Sequence, residues 1–140
     1  MIVHQQTVEV ATSGRGFTDA TRQVAEIVAA SGVGVGLCSV FVQHTSASLV
    51  IQENADPSVL LDLARWLERL APESGSYEHD AEGPDDMPSH LRSAVTRTSE
   101  VLPVHGARLL LGTWQAIYLW EHRAAPHQRR LIVTVTGTRG

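Results

Sequence analysis

The chain has 140 residues, 43% of them apolar and 19% charged, enough for one domain spanning residues 1–140 to bury about two-thirds of its unfolded surface. No run approaches the roughly 18 apolar residues that cross a bilayer, so no membrane partner is expected. The net charge is −4 with eleven arginines and no lysine, which speaks against a nucleic-acid surface and excludes a Schiff-base lysine or a Walker-type phosphate loop.

Ile2, Val8 and Val10 share one parity and predict a strand over Ile2 to Val10. Ser13-Gly14-Arg15-Gly16 reads as a turn, and Val24, Ile27 and Val28 recur at helical spacing from Thr18 to about Ser31, with Thr18 or Asp19 as the cap. Gly32, Gly34 and Gly36 end that helix without forming a dinucleotide-binding pattern. Leu37 to His44 is a nearly continuous apolar strand that reads as buried on both faces. After Thr45-Ser46-Ala47-Ser48 and a short apolar run, Asp56-Pro57 caps a helix whose stripe of Leu60, Leu61, Leu63, Ala64, Trp66 and Leu67 stops before Pro72. A further helix is predicted from Pro88, with Asp85 and Asp86 as favourable charges at its positive end. The last forty residues are β: a hairpin around His105-Gly106-Ala107, an alternating strand Gln115 to Arg123, a turn, and a Thr/Val-rich strand Leu131 to Thr138. The expected class is α+β, a β-sandwich of mostly antiparallel strands decorated with about three helices.

Chemistry concentrates in Tyr77 to His90, a long, polar, Pro-stiffened connection that cannot build a core. His79 and His90 bracket it, with Asp80 and Glu82 on an approach that can fold back toward the helix start. His44 ends an apolar strand where hydroxyl residues begin, a position from which sheets present side chains to pockets. Strand alternation makes Glu121 and Arg123 neighbours, free to pair or to face one ligand, and Trp114-Gln115 offers a flat ring beside an amide. His4, His105 and His127 fall at a strand end and in turns, and Cys38, lacking a partner, reads as a buried structural thiol. With no leader-like segment at Met1-Ile2-Val3-His4-Gln5, a cytoplasmic protein is expected.

Taken together and in order, His44-Thr45-Ser46-Ala47-Ser48, Glu53-Asn54-Ala55-Asp56-Pro57, Tyr77 with His79-Asp80, Glu82-Gly83 and Asp85-Asp86-Met87-Pro88, His90, Gly112-Thr113-Trp114-Gln115 and Glu121-His122-Arg123 closely resemble the YjbQ family, the secondary thiamine-phosphate synthase family. The resemblance runs from about Gln6 to Gly137. It implies a helix-decorated β-sandwich that assembles as a homotrimer and joins hydroxymethylpyrimidine diphosphate to thiazole phosphate. The turn Ala124-Ala125-Pro126-His127 departs from it by lacking the expected glycines.

On this combined reading His44, His79, Asp80, His90 and Glu121 are candidate catalytic residues, and Thr45, Ser46, Asn54, Trp114, Gln115 and Arg123 are candidate contacts to a small phosphorylated metabolite. His44, His79 and His90 are expected to converge on a metal ion or a bound phosphate. Magnesium suits the synthase reaction, whereas three imidazoles suit zinc or another transition ion. A metal-assisted hydrolase or phosphatase and a non-catalytic ligand-binding trimer remain the rival readings.

Overall fold

A computed structural model describes all residues from Met1 to Gly140. The alternation seen in the sequence becomes two antiparallel sheets. The strands are β1 (Ile2–Ala11), β2 (Gly16–Asp19), β3 (Val35–Val42), β4 (Ala47–Glu53), β5 (Ser99–His105), β6 (Arg108–Leu109), β7 (Gln115–Glu121) and β8 (Gln128–Thr138). The helices are α1 (Thr21–Ala30), α2 (Pro57–Leu70) and α3 (Asp86–Val95). The larger sheet has the order β1-β8-β3-β5-β6 and the smaller one β2-β7-β4. The expected α+β class is therefore observed.

One apolar face of each sheet is turned toward the other. Cys38, Val40 and Val42 of β3, Leu102 and Val104 of β5 and Leu131, Val133 and Val135 of β8 meet Leu49 of β4 and Ile117 and Leu119 of β7. Val24, Ile27 and Val28 of α1 close the same core. Each fully buried side chain such as Leu49 or Ile117 contributes about 1.5–3 kcal/mol over its exposed state. α2 and α3 lie against β4. β7 is thus buried almost along its length, with Phe17 stacked on Trp120 at a ring separation of 4.5 Å.

Local chemistry explains most boundaries. Asp56 accepts the Ser58 N–H at 2.9 Å with Pro57 in the first turn, so α2 starts where the sequence placed it. Gly106 and Ala107 have φ of 58° and 59°, the positive pair that a two-residue hairpin turn demands. At Gly36 a Cβ would lie 1.9 Å from the Thr136 carbonyl oxygen, so this glycine serves the close approach of β3 to β8.

Four expectations are corrected. The segment assigned to the start of the first helix is β2, paired with β7 from Gly16↔Glu121 to Asp19↔Tyr118, and α1 begins only at Thr21. α3 begins at Asp86, two residues before Pro88; proline is tolerated in this first turn because its missing N–H would have no helical partner there. β3 is buried on one face only, since Leu37 and Phe41 are 52% and 43% exposed. Trp66 is 47% exposed and lies off the buried stripe.

Candidate functional site

The polar connection between α2 and α3 folds back on the start of α3, as its composition suggested. Tyr77 Oη donates to the Pro72 carbonyl at 2.6 Å, and Gly83 takes a φ of 103°, turning the chain toward Asp85. The imidazoles of His79 and His90 then stand with ring centroids 5.4 Å apart. One ligand atom from each of His79, Glu82, Asp86 and His90 lies within 4.8 Å of all the others. Asp86 is the hub. Its Oδ2 is 2.6 Å from His79 Nε2 and 3.3 Å from His90 Nε2, and Glu82 Oε2 is 3.2 Å from His79 Nε2.

The supporting contacts fix this arrangement. Arg123 Nη1 donates to Asp86 Oδ1 at 2.8 Å, Nε to Asp85 Oδ2 at 2.9 Å and Nη2 to the Glu82 carbonyl at 3.1 Å. Asp85 also accepts the Ala124 N–H at 2.9 Å, pinning the turn after β7 to the start of α3. His90 Nδ1 donates to the Thr45 carbonyl at 3.1 Å, which directs its Nε2 at the Asp86 carboxylate. Two electron-rich atoms this close call for a positive charge between them, supplied by a proton or by a metal ion. Burial opposes ionisation of Asp86, but its contacts with Glu82, His79, His90 and Arg123 outweigh this and hold it below the usual carboxylate range. Its hydrogen bond with His79 in turn raises the pKa of that imidazole.

The donor set suits an intermediate transition ion. Two imidazoles and two carboxylates match zinc, manganese or iron better than magnesium, which prefers oxygen throughout. The orienting carbonyl behind His90 is the outer support common to metal-bound histidines.

His44 is not a member of this group. Its Nδ1 accepts from the Ser46 N–H at 3.1 Å and contacts Ser46 Oγ at 2.9 Å, so the proton of the neutral ring sits on Nε2 and that atom is a donor rather than a ligand. Burial and the Arg129 charge lower the His44 pKa and favour this neutral form. His44 and Thr45 instead line a shallow cavity of about 340 Å³ with His90. Asp80 is outside the four-residue group too, and lines a cavity of about 440 Å³ with Tyr77, His79 and Met87.

Glu121 and Arg123 do not pair through their side chains. Glu121 is fully buried; Thr12 Oγ1 donates to it at 2.7 Å, Arg129 Nε at 2.8 Å and the Arg123 backbone N–H at 3.2 Å. Arg129 Nη2 also reaches Ser46 Oγ at 3.1 Å, which ties the candidate contact Ser46 into the same buried network. Both carboxylate oxygens of Glu121 are thereby engaged inside the fold, and Arg123 is engaged by the loop, away from a free substrate-clamping role.

Asn54, Trp114 and Gln115 gather at the other end of the small sheet. The Asn54 N–H donates to the Trp114 carbonyl at 2.9 Å, Gln115 Oε1 accepts the Gly112 N–H at 2.7 Å, and the Trp114 ring is 62% exposed. Gln115 pairs with Glu53 while Glu121 pairs with Ala47, so the two ends of β7 are about 20 Å apart at 3.3 Å per residue. The residues expected to share one site are therefore divided within one chain.

Asp86 is the residue whose role the sequence concealed. Treated as a charge at a helix end, it is 2% exposed at the centre of the cluster. The available signal was its spacing: Asp86 and His90 are four apart, hence on one helix face once α3 is known to start at Asp86.

A small two-sheet α+β domain presenting a histidine–carboxylate group at one helix start is the class these features define. The chain belongs to the YjbQ-like UPF0047 family, whose profile matches residues 6–138. It is 55% identical over 135 residues to a UPF0047 protein of Synechocystis, covering 96% of this chain and 92% of the relative. With YjbQ of Escherichia coli O157:H7 the identity is 46% over 135 residues, covering 96% and 98%. The crystal structure of an uncharacterised YjbQ/UPF0047 protein of Clostridium acetobutylicum superposes with a TM-score of 0.86 at 34% identity, covering 94% and 99%. No helix is long and apolar enough to cross a membrane.

Proposed function

We propose that this protein is a divalent-metal-dependent enzyme acting on a small phosphorylated metabolite, with His79, Glu82, Asp86 and His90 holding the ion. The observation that carries the reading is the convergence of four donor atoms on a buried Asp86 that Arg123 anchors, beside a His90 whose Nδ1–H is committed to the Thr45 carbonyl. The first reaction to test is the family's suggested one, thiamine-phosphate synthesis. There the pyrimidine methylene–oxygen bond breaks, pyrophosphate leaves with the bonding pair, and the thiazole nitrogen forms the new bond to the methylene carbon. A bound ion supplies charge neutralisation for the departing pyrophosphate. The chain itself supplies the cavity beside His79, walled by Tyr77, Asp80, Pro84 and Met87, and the His44 Nε2–H as a donor for a substrate oxygen. Cys38 is a buried free thiol, in keeping with action in the cytoplasm.

The test is turnover by purified protein, stripped with a chelator and reloaded, together with rescue of a thiamine-requiring strain at natural expression level. Condensation that depends on a transition ion and is lost in His79→Ala supports the synthase reading. Absence of condensation with release of phosphate from simple esters moves the assignment to a metal-assisted hydrolase.

We further infer that the protein is a homotrimer. The outer face of the large sheet supports this. Leu37 lies between Pro103 and Thr136, and Phe41 beside Ile132, on a surface where Leu37, Phe41 and Val101 are 52%, 43% and 60% exposed. A solution mass of three chains that falls in Val101→Asp is expected; a monomeric wild-type protein overturns the inference.

A further inference from the structure

A further cavity lies on the other side of α3. Arg92 follows His90 by two residues, about 200° around the helix, and so faces away from the His79 group. It is 3% exposed, yet its only protein hydrogen bond runs from Nη2 to the Ala71 carbonyl at 3.0 Å, and its Nε is buried without any partner. No carboxylate forms an ion pair with it; Arg15, its neighbour in the cavity wall, is itself paired with Glu73. The cavity has a volume of about 140 Å³ and is walled by Arg15, Leu67, Glu68, Arg92, Trp120 and His122, among others. His122 is neutral there: burial, reinforced by the Arg92 charge, lowers its pKa to about 3.

Capping the last turn of α2 explains one of the five N–H donors that a guanidinium carries. It does not explain why a buried cation is left without a direct ion pair, Glu73 and Glu68 acting on it only from a longer distance, an arrangement that proteins otherwise pair or neutralise. A planar fork with free donors, a second guanidinium beside it and a neutral imidazole in a cavity too small for a metabolite together describe a receptor for a compact oxoanion. The solitary carboxylate on the wall, Glu68, is an exposed residue at the mouth of α2 and can turn to solvent.

We propose that this cavity binds a single small oxoanion, a phosphate or carboxylate group, with Arg92 as its principal ligand and Arg15 as the second. The site is separate from the proposed metal group, so it stands or falls independently of the enzymatic reading.

The test is thermal unfolding of the full chain in rising inorganic phosphate, with acetate as a parallel arm and chloride as the reference at matched pH and ionic strength. Wild-type protein should show a saturable rise in midpoint, roughly 5–10 °C at one hundred times the dissociation constant. Arg92→Met should lose that response, and Asp86→Asn, altered in the other site, should keep it. A response to acetate alone assigns the ligand as a carboxylate; a response to phosphate assigns it as a phosphate group. Should Arg92→Met not fold, Arg15→Gln, at a partly exposed position, is expected to weaken phosphate binding at least tenfold in a calorimetric titration. Equal responses in wild type and both variants, or no anion-specific response in wild type, overturn the proposal.

Discussion

Asp86→Asn is expected to lower affinity for a divalent transition ion by more than 100-fold, beyond the roughly 10–100-fold loss typical of an outer support. The substitution changes one atom and one charge at the only position that touches both imidazoles. The asparagine carbonyl can still accept from Arg123, so the anchor is retained while the anionic oxygen between His79 and His90 is replaced. Asp85→Asn is the matched control. Asp85 holds Arg123 and the Ala124 N–H but contributes no atom to the donor group, so its loss should stay within the outer-support range. Metal competition against a coloured chelator measures both. Because Asp86 raises the His79 pKa, an ion must displace that proton, and binding should weaken as pH falls and release protons to the buffer.

Arg129→Met should destabilise the fold by about 3–5 kcal/mol, the loss expected when one partner of a buried pair is removed and the other charge remains. Arg129 and Glu121 are 2% and 0% exposed, so neither can turn to solvent. Burial would raise the Glu121 pKa, yet hydrogen bonds from Arg129, Thr12 and the Arg123 N–H outweigh it and hold the carboxyl below its ordinary range. In the wild type this contribution is full above the unfolded carboxylate pKa and is lost as pH falls through the lower folded value. In Arg129→Met the balance reverses. Burial then raises the Glu121 pKa above the unfolded value, and the variant should regain stability on acidification as the carboxyl takes up a proton. Glu121→Gln in the same background should recover part of the loss at neutral pH. Denaturant midpoints at pH 7.5 and 4.5 for the three proteins check the sign; an equal loss for Arg129→Met at both pH values would count against this account.

What the sequence disclosed and what it hid have physical causes. β1 and β8 were legible because one face of each is apolar, β3 because its run is almost continuously apolar, and α2 because Asp56-Pro57 supplies both cap and first turn. β2 was hidden, since four residues with no alternation, Gly16–Asp19, pair with β7 by virtue of tertiary packing. The meeting of His79 and His90 was foreseen from a polar loop with imidazoles at both ends. Asp86 was misjudged because Pro88 drew the helix start two residues too late and so concealed its spacing from His90. Glu121 was given the wrong partner. Strand parity made Arg123 its neighbour, whereas its counter-charge arrives from Arg129 on β8, in the opposite sheet, which no local pattern announces. His44 was expected among the ligands from its place at the end of an apolar strand and from the motif it opens; the Ser46 N–H on its Nδ1 decides its tautomer and is visible only in three dimensions.

The central claim is that His79, Glu82, Asp86 and His90 hold one divalent ion. Anomalous diffraction at the metal edge, from crystals grown with zinc or manganese, tests it most directly. One strong peak per chain is expected within bonding distance of His79, His90 and Asp86, absent in Asp86→Asn. A wild-type crystal with no peak there, or with its ion bound at His44 instead, would contradict it.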